Sequence, residues 1–157
     1  MTTDTMEPEA PGVMDIRKAV DIAAPVEIAF EAVLEELGPA AQMPDGKPLS
    51  LKLEPWPGGR WFRDTGAGAG HLWGHVQVIK PPTLIELCGP MAMSYPAVNH
   101  IQYRLKADGG GRTHLTLHHR AMGLIPPEHR DGMPEGWAQW LAEIRDLAER
   151  KANRGAK

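Results

Sequence analysis

The chain has 157 residues, 42% hydrophobic and 24% charged, a length and balance that suit one globular domain with a sizeable core. A formal net charge of -3 without any clustered Lys/Arg run argues against a nucleic-acid partner, which needs a basic stripe to meet phosphate. No stretch approaches the ~20 apolar residues that cross a bilayer, so no membrane insertion is expected.

Residues 1–13 open with an acidic, polar stretch carrying Pro8, Pro11 and Gly12, which reads as a disordered lead and has neither the basic nor the apolar region of a secretory signal. Met14, Ile16 and Ile22 mark a first strand. Pro25 then sits where a helix tolerates proline, at its first turn. Val26, Phe30, Val33, Leu34 and Leu37 recur on one helical stripe, and Gly38-Pro39 ends it. A loop over residues 39–50 follows, long enough to act as a flap.

Strand signals dominate the next seventy residues. Leu51 and Leu53 alternate, Gly58-Gly59 turns the chain into Arg60–Arg63, and a long run covers His71 to Ile79. Leu84–Leu87, Val98–Lys106 and Thr113–Ala121 complete six or seven strands, the last two joined by a turn at Gly109–Gly111. Cys88, the single cysteine, rules out an internal disulfide and fits a reducing, cytoplasmic setting; its flanks read as a strand entering a turn, hence a structural thiol. Three prolines between Gly123 and Pro134 suggest an irregular turn. Beyond it, Trp137, Trp140, Leu141, Ile144 and Leu147 repeat at helical spacing over about 17 residues, and residues 153–157 form a basic tail.

The order strand, helix, antiparallel strands, long helix predicts an α+β helix-grip fold over residues 14–152, a curved sheet wrapped around the C-terminal helix. The sheet must bury one face, and the last helix is the only large apolar partner. Space left between them would form a pocket.

Several motifs resemble the SRPBCC (START-like) superfamily, nearest to homologues of the heat-shock chaperone ATPase activator. They are Ala24-Pro25-Val26-Glu27 with Phe30, Trp56-Pro57-Gly58-Gly59-Arg60-Trp61, Gly74-His75-Val76 through Pro81-Pro82-Thr83-Leu84, Gly110-Gly111-Arg112-Thr113 into Leu115-Thr116-Leu117, and Gly136-Trp137. The resemblance implies a helix-grip fold and, commonly, a hydrophobic cavity. Its members include lipid carriers, ligand binders, polyketide cyclases and chaperone co-factors, so it implies no single reaction.

His71 and His75 have the spacing of two metal ligands on a helix, but their neighbours alternate as a strand. Four strand residues span ~13 Å, too far for one ion. His118 and His119 are adjacent and face opposite sides. No metal and no cofactor is therefore expected. On the strands near the end of the sheet, Leu115, Leu117 and His119 share one face, as do Ile101, Tyr103 and Leu105. Tyr103 and His119 would then bring a phenol and an imidazole to the cavity, to hydrogen-bond a ligand or to move a proton.

The expected function is binding of a small apolar or aromatic molecule, with Phe30, Trp61, Tyr103, Leu117, Trp137 and Trp140 as walls and His119 as the polar handle. A cyclase- or hydrolase-type enzyme using Tyr103 and His119 is the second reading, a chaperone-related or regulatory interaction module the third. Met91, Met93 and Tyr95, in a Pro/Gly-bounded link, suggest an adaptable lid. Trp73, placed with His71 and His75 on the outer face, would be a surface aromatic and a homodimer contact.

Overall fold

A computed structural model describes residues 9–155; most of the lead expected at 1–13, and the last two residues of the tail, lie outside that range. The elements run β1 (Gly12–Ile22), α1 (Val26–Glu36), β2 (Leu51–Leu53), β3 (Arg60–Gly66), β4 (Ala69–Lys80), β5 (Leu84–Gly89), β6 (Ala97–Ala107), β7 (Thr113–Gly123) and α2 (Pro127–Gly155). The strands form one antiparallel sheet of seven, in the order β1-β7-β6-β5-β4-β3-β2. Both helices pack on one side of it, giving the helix-grip α+β fold that the element order predicts.

Alternation places the core as expected in the β1–β7–β6 half of the sheet. Ile16, Ile101, Tyr103, Leu105, Leu115, Leu117 and His119 are all buried. Opposite them, α2 contributes Trp137, Leu141, Ile144 and Ala148. In α1 the buried stripe is rotated from the one expected: Ala29, Ala32 and Glu36 join Phe30 and Val33. Small residues at these spacings let α1 approach α2 closely.

Two local features depart from the sequence reading. The first is β4. Trp61 pairs with Gly74 and Phe62 with Leu72, so Trp73 is the extra residue of a β-bulge, and a second irregularity follows between Val76 and Val78. The bulge turns Trp73 inward, only 6% exposed, while Leu72 at 45% and His75 face outward. Trp73 is therefore a core aromatic and not the surface contact expected for a homodimer. His71 stays beside it, ring centroids 6.5 Å apart, and does not share a face with His75.

Glycine makes the bulge possible. A Cβ on Gly74 would lie 2.5 Å from the Cys88 carbonyl oxygen, and one on Gly89 (φ +152) would collide with the Gly74 backbone. With both side chains absent, the Met91 N–H reaches the Trp73 carbonyl at 2.7 Å and the link after β5 folds back over the sheet.

The second departure is α2, which spans 29 residues. Pro127 stands at its first position, where no donor is lost, and Pro134 lies inside it. The irregular turn expected up to Pro134 is thus largely helical. The residues at 128–132 are all exposed.

Candidate binding cleft

The expected wall residues come together, but as packed core. Trp61, Tyr103, Leu117, His119 and Trp137 are at most 2% exposed and Phe30 is 4%. Trp137 inserts from α2 onto the sheet, its ring 6.2 Å from Tyr103 and 5.5 Å from His119, and stacks at 5.3 Å on Trp140. None of these six residues borders a cleft wide enough for a ligand among those described; Trp140 does.

His119 is fully engaged. Trp137 Nε1–H donates to its Nδ1 at 2.9 Å, which leaves the proton on Nε2, directed to Asn99 Oδ1 at 2.7 Å. Asn99 in turn donates from Nδ2 to the Gly89 carbonyl at 3.1 Å and contacts Met93 Sδ. Burial, with a smaller push from His118, lowers the imidazole to about 4, so it is neutral at physiological pH. Tyr103 is equally shielded. Burial first, and the Glu36 charge second, raise its phenol far above the usual range, and its hydroxyl has no partner among the described residues.

Open space lies instead around Trp73 and Trp140, in two lobes. One, of about 290 Å³, is bordered by the 41–49 loop, Trp73, Gln139, Trp140 and Glu143. The other, of about 340 Å³, is bordered by Trp73, Met91, Met93, His129, Met133 and Trp140. Gly136, like Trp73 and Trp140, borders both, and a Cβ there would meet nothing within 4 Å. Trp73 also packs edge-on against Trp61 at 5.1 Å, and Trp61 Nε1 donates to the Leu37 carbonyl at 2.8 Å. Trp140 Nε1 donates to the Glu36 carbonyl at 3.2 Å, which fixes its ring plane at the junction of α1 and α2.

The link holding Met91 and Met93 covers the second lobe, both side chains 4% exposed. Tyr95 Oη lies 2.7 Å from His129 Nδ1, tying the link to the first turns of α2. Behind Trp140, Glu36 is 7% exposed, and no cation among the described residues pairs with its carboxyl. Burial, then the Glu143 charge, raises it to about 7, with Arg150 opposing. Glu36 was not visible as a site residue, because a Glu on a surface helix reads as solvated. The signal available was its place two turns from Ala29 and one from Ala32, on the small-residue face.

A family profile described as "Activator of Hsp90 ATPase homolog 1-like protein" matches residues 23–149. The chain belongs to this family. A comparison with curated protein sequences gives no match. Among solved structures, Mll3558 from Rhizobium loti is 17% identical with a TM-score of 0.68, over 88% of this chain and 99% of that one. CV1439 from Chromobacterium violaceum is 23% identical with a TM-score of 0.63, over 86% and 96%. The ZhuI aromatase/cyclase from Streptomyces sp. R1128 is 17% identical with a TM-score of 0.61, over 93% and 97%. At these identities the likeness shows the START-like fold and nothing finer.

Proposed function

We propose that this member of the family binds a small apolar molecule in the two-lobed cleft under the first turns of α2, walled by Trp73 and Trp140. The reading rests on one observation: Trp73, Gly136 and Trp140 border both lobes, so a single elongated ligand can lie across them. Three methionines, Met91, Met93 and Met133, supply an adaptable apolar surface in one lobe. Tyr103, Leu117, His119 and Trp137 then form the packed floor that holds Trp140 in place, and their contribution is positioning. The solved aromatase/cyclase lends support to a flat aromatic ligand in a fold of this shape.

An enzyme of the cyclase or hydrolase type would need a proton-transfer group near the cleft. Tyr103 and His119 border neither lobe; Glu36, with its carboxyl raised to about 7, borders a separate depression that shares Glu143 with the first lobe, and is the candidate nearest to that role. A protein-interaction role, as the family description suggests, draws support from a different surface. Val13, Met122 and Val98 stand opposite one another across β1, β7 and β6, 74%, 59% and 62% exposed.

Native mass spectrometry of protein purified without detergent tests the main reading. A retained small apolar molecule, lost on Gly136→Leu, is the expected result. A chain that carries nothing, and takes up no apolar probe, would leave the interaction role standing alone.

A further inference from the structure

The chain has five tryptophans, and the fate of each indole N–H sets one of them apart. Trp61 donates to the Leu37 carbonyl at 2.8 Å, Trp137 to His119 Nδ1 at 2.9 Å and Trp140 to the Glu36 carbonyl at 3.2 Å. Trp56 is 55% exposed, so water can serve it. Trp73 differs. It is 6% exposed, its Nε1 is buried, and no acceptor among the described residues receives that N–H. A buried donor without an acceptor costs the full desolvation of the group, and folded proteins keep few of them.

Two other buried polar atoms share this condition, the Tyr103 hydroxyl and His100 Nδ1. Neither residue borders a lobe of the cleft, whereas Trp73 borders both. The remaining polar side chains there are Gln42, Gln139 and Glu143 in the first lobe and Glu128 and His129 in the second. All five are exposed and meet water. The buried, unspent donor therefore belongs to the wall that the two lobes share.

Charge near the cleft is of both signs. Arg63 Nε donates to the Leu49 carbonyl at 3.0 Å and its Nη2 contacts Met43 Sδ at 3.9 Å, both residues of the first lobe's border. Glu143 shares a neighbouring depression with Arg150. Neither a cation nor an anion is singled out. An uncharged acceptor is enough to satisfy an N–H, and it costs far less to remove from water than an ion does.

We infer that the ligand of this cleft carries an uncharged carbonyl oxygen, which receives the Trp73 indole N–H while its apolar remainder lies against Trp140 and the methionines. This rests on the binding reading above and adds the polar group that orients the ligand. Selectivity follows from the asymmetry of hydrogen bonding: a ligand lacking the oxygen leaves the buried donor unpaired.

Two probes of nearly one shape test it, 2-acetylnaphthalene with the carbonyl and 2-isopropenylnaphthalene without it. Each is titrated by calorimetry into the parent and into protein whose Trp73 is replaced by its benzothienyl analogue, which keeps the ring shape and puts sulfur in place of Nε1–H. The replacement is expected to weaken the ketone about ten-fold and to change the hydrocarbon by less than about two-fold. In the parent, the Trp73 indole N–H resonance, identified by its loss in the analogue, should move further downfield with the ketone than with the hydrocarbon. Equal effects of the replacement on both probes, no downfield difference, or a parent that takes up the hydrocarbon alone overturns the inference and leaves the apolar cleft standing. If neither probe binds the parent, the cleft reading falls and the inference falls with it.

Discussion

Trp137 donates its indole N–H to His119 Nδ1 at 2.9 Å, and through that one bond the long helix is tied to the sheet by polarity as well as by packing. The three side chains of the relay are buried: Trp137 is 2% exposed, His119 0% and Asn99 3%. The relay ends at the Gly89 carbonyl, where the methionine-bearing link begins. Position of the helix and position of the link are thus coupled through His119.

Trp137→Phe keeps the aromatic volume and removes the donor, leaving Nδ1 unpaired in the core. The expected loss is about 1–3 kcal/mol in urea denaturation. An unchanged midpoint would mean that the ring packing alone holds this part of α2.

Stability should show two opposing pH responses. Glu36 is raised from 4.5 to about 7, so the folded state holds a proton the unfolded chain has released. That contribution is full below pH 4.5 and is lost as pH rises through 7. His119 is lowered from 6.5 to about 4, so its contribution is present above pH 6.5 and is lost as pH falls through 4. Each is worth about 3 kcal/mol at its limit, and the two largely cancel between about pH 4.5 and 6.5. Glu36→Gln should therefore unmask a stability that climbs with pH over that window, and be more stable than the parent at pH 8. A pH profile identical to the parent's would place Glu36 in water.

Gly74→Ala should cost about 2 kcal/mol or more, because the added methyl meets the Cys88 carbonyl oxygen and the bulge must open. The readout beyond stability is near-ultraviolet circular dichroism, where the Trp61–Trp73 edge contact at 5.1 Å should be lost. A native-like spectrum would show that Trp73 turns inward without the glycine.

Much of this was legible from period alone. The two-residue alternation of Leu115, Leu117 and His119, and of Ile101, Tyr103 and Leu105, gives the inner face of two strands. The spacing of Trp137, Leu141 and Ile144 gives the face of α2. Trp73 was misread because alternation carries across a strand only while the register is unbroken, and the bulge at Trp73–Gly74 breaks it. Gly74 was visible, but its partner Gly89 becomes meaningful only when β4 and β5 lie side by side. Pro134 hid the start of α2, since proline discourages helix locally and here lies inside one. The expected pocket between sheet and helix is filled by Trp137 and Tyr103; the clefts form one layer further out, where tertiary gaps and not sequence period decide.

Gly136→Leu separates the fold from the cleft. It replaces the helix-weakening residue by a helix former, so stability should rise by about 0.5–1 kcal/mol. Gly136 borders both lobes, and the added side chain would stand at their shared margin.

The central claim is therefore tested most directly by titrating Nile red into the parent protein and Gly136→Leu, monitoring energy transfer from tryptophan. Saturable binding by the parent, weakened about ten-fold or more in a variant of equal or greater stability, is the predicted result. Equal binding by both proteins, or none by the parent, would contradict a ligand lying between Trp73 and Trp140.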